Sequence, residues 1–387
     1  MRSFAMNSAL KVLIIGGSGV FGSRLAALAA GEPGVEITLG GRTRSKLVDV
    51  ASQLSPKPSI LVLDRNAIDQ EDLEPFDLVI DAAGPFQASQ SHVIVAALAS
   101  KTPYVDLADG RQFVADFPGF DDAARRCGVP LVTGASSIPA LSHAVLDRMT
   151  AGWRAIDDIR IGIFPGNRAP RGLSVVEAIL SYVGKPVRVF REGEWQQVPG
   201  WGMVHREDTG DPGRRWAAVC DTPEQDLLVQ RYRPRRSAEF FAGLELGILH
   251  LGLALCAMPV RWGWLKSLRP LARPMLAISR LFLPFGSDRG AMTVEARGED
   301  GEGRAIHARW NLRADANRGP NVPILAALAL VRRFRDGWGP EPGAHVCAGM
   351  LSLREFEADF ARLGIVHSQV ETHGGASEAL TALSRAA

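Results

Sequence analysis

A glycine-rich loop between a strand and a helix is the feature that most constrains the fold of this chain. Gly17, Gly19 and Gly22 form a G-x-G-x-x-G pattern directly after the apolar run 11–15 and directly before the helical pattern 20–30. In such a loop the first glycine allows a tight turn, the second lets a pyrophosphate approach the backbone, and the third lets the helix pack closely on the strand. Phosphates then bind the free N–H groups at the helix N-terminus. The loop therefore predicts a dinucleotide site.

The first 143 residues alternate between strand and helix patterns, which is typical of successive βαβ units on a parallel sheet. The predicted strands are 11–15, 35–39, 59–63, 77–82, 104–107 and 130–133. The predicted helices are 20–30, 43–54, 88–100 and 112–126, the last interrupted by Pro118. Together with the glycine loop, this order predicts an N-terminal Rossmann domain, a doubly wound parallel sheet, over residues 1–143.

The end of the second predicted strand indicates which nicotinamide cofactor the domain holds. An acidic residue there would bind the adenosine ribose hydroxyl of NAD, and none is present. Arg42, Thr43 and Arg44 stand there instead, and guanidinium groups suit a 2′-phosphate. NADP(H) is therefore predicted, with NAD(H) as the less favoured cofactor. The alternative for Arg44 and for Lys46 is a solvated residue on the following helix.

The remaining predicted cofactor contacts come from the ends of the first, third and fourth strands. Asp64 either accepts a hydrogen bond from the adenine amino group or caps the next turn. The small residues after the fourth strand leave room beside the cofactor, because ligands of open α/β sheets bind beyond the carboxyl ends of the strands. The complete set is Gly17, Ser18, Gly19, Val20, Phe21, Gly22, Arg42, Thr43, Arg44, Asp64, Ala83, Gly84 and Pro85.

The sequence resembles the saccharopine dehydrogenase-like family of NAD(P)-dependent oxidoreductases. The segments that carry the resemblance are the Gly17 loop and residues 41–43, 77–86, 104–110, 133–143 and, more weakly, 319–337. The resemblance implies the fold and the cofactor class. Saccharopine-forming members carry acidic residues where this chain has Ile138 and Ser142, and the 137–139 run is more similar to the lipid-associated and enoyl-reductase-like branch. Saccharopine itself is therefore not carried over as the substrate.

After about residue 150 the pattern changes to strands joined by loops rich in Pro and Gly. We predict an α+β substrate and dimerisation domain at 144–318, with a mixed or antiparallel sheet that covers the cofactor cleft and substrate bound between the domains. Residues 292–296 and 305–312, joined by a polar turn at 298–303, predict an antiparallel hairpin. Residues 319–387 are predicted as a C-terminal helical segment that packs back on the Rossmann domain.

Residues 240–260 are almost continuously apolar, and residues 261–285 mix tryptophans with basic residues. The first stretch is long enough to span a bilayer, but Glu245 argues against that. The mixed stretch has the composition of interfacial amphipathic helices, broken here by three prolines. A buried helical subdomain, a dimer interface, a peripheral membrane or lipid-substrate surface and a transmembrane helix all remain open for residues 240–285.

Hydride transfer needs a positioned nicotinamide and, for a carbonyl or imine, a proton donor. Asp106 and His143 are the predicted catalytic residues, and Asp109 and Tyr104 are neighbouring candidates with structural alternatives as a helix cap and a core residue. The predicted function is hydride transfer to or from an amino/imino or a hydrophobic enoyl/carbonyl substrate. The alternative is a non-catalytic NADP(H)-binding protein that associates with a membrane or a partner.

Composition excludes several other classes. The formal net charge of +2 leaves no electrostatic footprint for nucleic acid. The four cysteines and eight histidines show no metal-ligand spacing, so no metal site and no disulfide framework is predicted. A cytoplasmic homodimer fits these features, and peripheral membrane contact through residues 240–285 is the alternative left open.

Overall fold

A computed structural model of the chain describes residues 9–374. The chain divides into two compact units, each assembled from separate stretches of sequence. Among the described residues, the first unit comprises 9–141, Pro170–Val175 and Pro320–Leu351. The second comprises Ser142–Ala169, Val176–Gly319 and 352–374.

The first unit is built on a seven-stranded parallel sheet, and elements are numbered here along the whole chain. Its strands are β1 Leu10–Ile15, β2 Val35–Gly41, β3 Ser59–Val62, β4 Leu78–Asp81, β5 Tyr104–Asp106, β6 Pro130–Thr133 and β15 Gly343–Val346. They lie in the order β15-β6-β5-β4-β1-β2-β3. The order reverses between β1 and β4, which is where doubly wound sheets bind nucleotides. The predicted Rossmann sheet is therefore confirmed.

Helices cover this sheet because each crossover between parallel strands needs one. They are α1 Val20–Ala29, α2 Arg44–Ala51, α3 Gln70–Leu73, α4 His92–Ser100, α5 Arg111–Asp116, α6 Asp121–Cys127 and α12 Leu325–Arg335. The predicted interruption near Pro118 is observed as a 3₁₀ turn at Phe117–Phe120. The helix predicted at 88–100 begins later, at His92. The buried core includes Leu13, Val79, Val93 and Phe117.

The second unit contains a mixed sheet, as predicted. Its strands are β7 Ala155–Phe164, β8 Pro186–Arg191, β9 Glu194–Pro199, β10 His205–Asp208, β11 Arg214–Val219, β12 Ser237–Ala242, β13 Gly290–Glu299, β14 Ala305–Ala314 and β16 Val366–His373. The main path is β10-β11-β12-β7-β13-β14-β16, and the β8–β9 hairpin joins at β12. Only the β12–β7 pair is parallel among these described pairings. The predicted hairpin is the β13–β14 pair, which is longer than expected at both ends.

The helices of this unit include the apolar segment that the sequence left open. They are α7 Ser142–Met149, most of α8 Leu173–Tyr182, α9 Glu224–Tyr232, α10 Gly247–Arg261, α11 Ala272–Leu281 and α13 Arg354–Leu363. The apolar stretch 240–260 is not one element, because residues 240–242 end β12 and residues 247–260 belong to α10. Within residues 9–374, none of the helices combines the length and the apolar character needed to cross a membrane.

The C-terminal part differs from the prediction for residues 319–387. Helix α12 packs against α1 inside the first unit, where Arg332 Nη2 lies 2.7 Å from Glu32 Oε1. The same part also supplies strand β15 to the first sheet and strand β16 to the second. These two strands are short or strongly polar, and strand propensity alone is a weak signal in such sequences. Residues 375–387 of the predicted helical segment lie outside the described residues.

Candidate cofactor-binding and catalytic sites

The turn after β1 is formed by Gly16 rather than by Gly17, to which the sequence pattern assigned it. Gly16 has φ +79°, in the left-handed region that favours glycine. Its amide donates to Gly40 O at 2.9 Å, and its own carbonyl accepts from Gly19 N at 2.8 Å. These bonds fix the loop against the end of β2, so the loop geometry is set before any ligand binds.

The other loop glycines are required by close contacts. A Cβ on Gly22 would lie 2.2 Å from Gly16 O, and a Cβ on Gly17 would lie 3.0 Å from Leu39 Cβ. Gly19 is exposed, and its Cβ would approach only Gly16 O, at 3.1 Å. The first amides of α1 have no acceptor within the helix. The loop therefore combines a rigid inner side with an open side of backbone N–H groups, which fits a diphosphate.

Arg42, Thr43 and Arg44 follow β2 and are exposed. Thr43 is the N-cap residue of α2, but its side chain makes no capping hydrogen bond. Within residues 9–374, neither Arg42 nor Arg44 has an ion-pair partner. Two unpaired guanidiniums and a free hydroxyl are therefore available beside the loop, as a 2′-phosphate requires.

The loop after β4 lies against the glycine loop. A Cβ on Gly16 would come within 3.0 Å of Ala83, so the predicted residues Ala83, Gly84 and Pro85 start beside the β1 turn. Asp81 holds this loop: its Oδ1 accepts from Ala83 N at 3.0 Å, and its Oδ2 accepts from Arg65 Nε at 2.7 Å. The sequence analysis missed this ion pair between the buried Asp81 and the half-buried Arg65, because Arg65 has no feature that distinguishes it from an ordinary loop residue.

Asp64 lies just beyond β3 and is exposed. Its carboxylate accepts from Asn66 N at 3.0 Å, and its carbonyl accepts from Ala67 N at 2.9 Å. Of the two roles that the sequence left open, the turn cap is thus observed, and it leaves the second carboxylate oxygen free for adenine.

Residues 12–147 match the family model described as the saccharopine dehydrogenase NADP binding domain. This part of the chain is therefore similar to the cofactor-binding domain of the saccharopine dehydrogenase family. The predicted family resemblance and the NADP-binding class of the domain are thereby confirmed. No curated protein sequence matches the chain.

Solved structures extend the likeness in fold to the whole chain. Saccharopine dehydrogenase (L-Glu forming) from Saccharomyces cerevisiae matches 94% of this chain and 100% of its own, with TM-score 0.67 and 11% identity. GenD2 from gentamicin A biosynthesis, solved in complex with NAD, covers 96% and 99% of the two chains at 12% identity, with TM-score 0.45. A myo-inositol dehydrogenase from Corynebacterium glutamicum covers 93% and 98% at 12% identity, with TM-score 0.43. At 11% identity, the similarity to the yeast saccharopine dehydrogenase establishes the fold alone.

In the saccharopine dehydrogenase-type domain, Asp106 ends β5 and is completely buried. Its Oδ1 accepts from Ala108 N at 2.9 Å and from Thr133 Oγ1 and Gly134 N, both at 2.8 Å. Its Oδ2 accepts from Tyr104 Oη at 3.0 Å. Burial raises the pKa of Asp106 to about 7, although the hydrogen bonds from Gly134, Ala108 and Thr133 act in the opposite direction. The carboxyl group therefore joins the ends of β5 and β6.

Tyr104 and Asp109, the neighbouring candidates, have different surroundings. Tyr104 is a buried core residue, and burial raises its pKa well above the ordinary value, so it remains a phenol that donates to Asp106. Asp109 is exposed and accepts from Gln87 Nε2 at 3.2 Å. Neither contact involves a helix cap.

His143 lies in α7, in the other structural unit from Asp106. It is completely buried, and its Nε2 lies 3.0 Å from Oε2 of the equally buried Glu224. The hydroxyl of Ser142 donates to Glu224 Oε1. The second ring nitrogen of His143, Nδ1, has no hydrogen-bond partner among the described residues. One nitrogen of the imidazole is thus oriented by a carboxylate, and the other is unused.

Tyr232 covers the His143 ring at a centroid distance of 5.3 Å. Its hydroxyl donates to Asp147 Oδ1 at 2.8 Å and approaches His143 O at 3.2 Å. Glu224 and Tyr232 are residues that the sequence did not point to. Glu224 lies in the first turn of α9. Acidic residues are common there because they interact favourably with the helix dipole, so the sequence offers no reason to assign Glu224 another role.

Proposed function

We propose that this chain is an NADP(H)-dependent oxidoreductase that transfers hydride to or from an amino/imino or a hydrophobic enoyl/carbonyl substrate. The observation that carries the proposal is the preformed loop of Gly16 to Gly22 with the unpaired Arg42 beside it. In this proposal the amides at Gly19 bind the diphosphate, and Arg42, Thr43 and Arg44 bind the 2′-phosphate.

When bound, the cofactor supplies or accepts the hydride, and the chain supplies position and a proton. We propose His143 as the group that exchanges this proton, because its Nδ1 is unused while Nε2 is held by Glu224. Asp106 is the less suitable donor, since both of its oxygens are engaged by hydrogen bonds within the sheet. We propose that Asp106 positions the strand ends instead.

Two positions bear on the substrate class. Ile138 is an apolar buried residue, and Ser142 donates its hydroxyl to Glu224. Neither side chain presents a carboxylate to a substrate amino group, which favours a hydrophobic enoyl or carbonyl compound over an amino acid. An imino substrate remains part of the proposal because His143 would serve as its proton donor.

Turnover tests this function. Purified protein with NADPH is incubated with imino acids, enoyl thioesters and lipid ketones, and absorbance of the reduced nicotinamide is followed. We expect NADPH to be oxidised in the presence of at least one of these substrate classes. For a carbonyl or imine substrate, His143→Gln and Glu224→Gln are expected to lower kcat by about 100-fold and 10-fold, because general acid catalysis contributes factors of this order. NADPH affinity should not change.

His345→Gln is the matched control, since His345 lies in β15 and bonds to Glu341 O. Loss of turnover in this control, or full turnover in His143→Gln with a carbonyl substrate, would remove the proposed role of His143.

NADPH binding without oxidation by any substrate class would leave the second candidate, a non-catalytic NADP(H)-binding protein. That candidate is favoured by the complete engagement of Asp106 within its own sheet.

The homodimer and the cytoplasmic location predicted from the sequence stay predictions. The expected small-molecule substrate is part of the proposal above.

A further inference from the structure

We propose that helices α10 and α11 and their connections form a docking surface for an anionic lipid membrane. The docking surface consists of the exposed side chains of residues 248–285 in the second unit. It is independent of the redox chemistry proposed above, and its test needs no turnover.

The first observation is that each helix has two apolar stripes. In α10, the stripe containing His250, Leu253, Ala257 and Val260 is buried. The opposite stripe is exposed although it is apolar. Its members, with their exposed fractions, are Ile248 66%, Leu251 38%, Leu255 63%, Met258 42% and Trp262 58%. One apolar stripe is enough to hold a helix on its unit. The second stripe therefore has no partner among residues 9–374.

Helix α11 repeats this arrangement. Ala272 and Leu276 are buried, and exposed apolar residues occupy the other face at spacings of seven, three and four residues. These are Leu271, Ile278, Leu281 and, just beyond the helix, Phe285, which is 74% exposed. Trp264, in the connection between the helices, is 75% exposed. Scattered exposed apolar residues are ordinary, but two exposed apolar stripes and exposed tryptophans in one segment mark an interaction surface.

The second observation is the charge of the same segment. No Asp or Glu occurs between Glu245 and Asp288. The basic residues in this interval are Arg261, Lys266, Arg269, Arg273 and Arg280, and all five are exposed. The whole chain has a formal net charge of only +2, so this positive charge is local. Exposed apolar stripes, exposed basic side chains and exposed tryptophans in one segment match the interface of an anionic bilayer.

The charge also argues against a second copy of this chain as the occupant. A two-fold contact would place the same surface on both partners. Arg261, Arg273 and Arg280 would then face like charges, with no acidic residue of the segment to pair with them. An anionic membrane complements both the charge and the apolar stripes.

The third observation is that the segment is held at both ends. Glu245 accepts from Asn167 N at 2.6 Å and from Ser287 N at 2.9 Å. Asn167 Nδ2 donates to Phe282 O at 2.7 Å. Burial acts to raise the pKa of Glu245, but the hydrogen bonds from Ser287 and Asn167 outweigh it and lower the pKa, so the carboxylate stays ionised. The exposed stripes thus belong to an anchored structure.

Vesicle co-sedimentation of the full chain tests the proposal. Vesicles of phosphatidylcholine alone are compared with vesicles containing one quarter phosphatidylglycerol, each at low and high salt. We expect binding to the anionic vesicles that weakens at high salt. The double variants Trp262→Ala/Trp264→Ala and Arg273→Glu/Arg280→Glu should each lower the partition coefficient by about tenfold or more. For the arginine pair, the reason is that each basic residue at an anionic surface contributes about fivefold. For the tryptophan pair, the reason is the loss of aromatic side chains that favour the membrane interface.

Trp195→Ala and Arg126→Glu are the matched controls. Trp195 is 40% exposed on β9, and Arg126 is exposed on α6, both outside the docking surface. All four variants alter exposed side chains, and NADPH-induced thermal protection verifies that each is folded. Controls that bind like the parent support the proposal.

Three results would overturn it. The first is a parent protein that stays in the supernatant with anionic vesicles at low salt. The second is equal binding by the parent and both double variants. The third is found by sedimentation equilibrium: a parent dimer that Trp262→Ala/Trp264→Ala converts to a monomer, without vesicle binding, would identify the surface as a contact between two copies.

Discussion

Arg42 is the side chain on which we expect the choice of cofactor to depend. It follows the last residue of β2, is exposed, and has no acidic partner within residues 9–374. A free guanidinium gains a charge-assisted, bidentate contact with a phosphate but little with a ribose hydroxyl. Selection between NADP(H) and NAD(H) should therefore depend on this residue more than on the glycine loop, which we propose to bind the diphosphate common to both.

Arg42→Asp is expected to weaken NADP(H) binding by about 1.5 to 3 kcal/mol and to leave NAD(H) binding nearly unchanged. Calorimetric titration of both cofactors measures the difference. Arg126→Asp makes the same charge change on α6 and should affect neither cofactor. Equal dissociation constants for NADP(H) in the parent and in Arg42→Asp would contradict the role of Arg42.

Asp106 provides a second prediction at the residue scale. An asparagine can keep the three hydrogen bonds to Oδ1 and can donate from its amide to Tyr104 Oη. Asp106→Asn should therefore fold, whereas Asp106→Ala leaves buried donors unsatisfied and should cost about 3 kcal/mol or more of unfolding free energy. Denaturant titration at neutral pH distinguishes the two.

The pH dependence of Asp106 has a definite sign. Because burial raises its pKa from 3.8 to about 7 in the folded chain, the folded state binds the proton more tightly than the unfolded state. The stability contributed by this group is therefore present below pH 4 and is lost as the pH rises toward 7. Asp106→Asn should flatten this part of the stability profile. An unchanged slope between pH 4 and pH 7 would show that Asp106 titrates elsewhere.

At the scale of elements, the turn from β1 into α1 separates a packing role from a binding role. Gly22 has no room for a methyl group because Gly16 O would be 2.2 Å away. Gly19 has more room, and its exposed side is where a phosphate would approach the backbone. The two glycines of one motif should therefore respond differently to the same substitution.

Gly22→Ala is expected to lower the unfolding free energy by about 2 kcal/mol or more, because backbone atoms of the loop must move. Gly19→Ala should leave the melting temperature of the apoprotein within a few degrees of the parent and should weaken NADPH binding by at least about tenfold. Thermal unfolding with and without NADPH measures both effects. The reverse ranking of the two variants in apoprotein stability would contradict the assignment.

At the scale of the whole molecule, the first unit is not a continuous piece of chain. It takes β15 and α12 from residues 320–351. All but three residues of α12 are buried, and the helix packs against α1. Arg332 and Arg335 reach Glu32, and Arg24 Nη1 lies 3.0 Å from Asn321 Oδ1. A cofactor domain cut at the end of its recognisable sequence would therefore be incomplete.

A fragment of residues 9–141 is expected to aggregate or to unfold without a cooperative transition, because it exposes the apolar surface that α12 covers. The same fragment joined through a glycine-serine linker to residues 320–351 should unfold cooperatively and show thermal protection by NADPH. Circular dichroism melts of the two fragments test this. A short fragment that melts cooperatively and is protected by NADPH would show that α12 and β15 are dispensable.

The sequence determined the βα alternation of the first unit, the position of the glycine loop, the cofactor class and the β13–β14 hairpin. These features depend on local periodicity and on residues within one turn or one strand end, so a short window of sequence contains them. The apolar and basic character of residues 240–285 was also visible, but not which side of each helix is covered.

Tertiary structure alone decided the contacts between residues distant in sequence. Glu224 meets His143 across 81 positions, and Arg332 meets Glu32 across 300. The assignment of residues 320–351 to the first sheet, and of β16 to the second, is of the same kind. No local propensity encodes such pairings, because they arise when whole elements bury their apolar faces against one another.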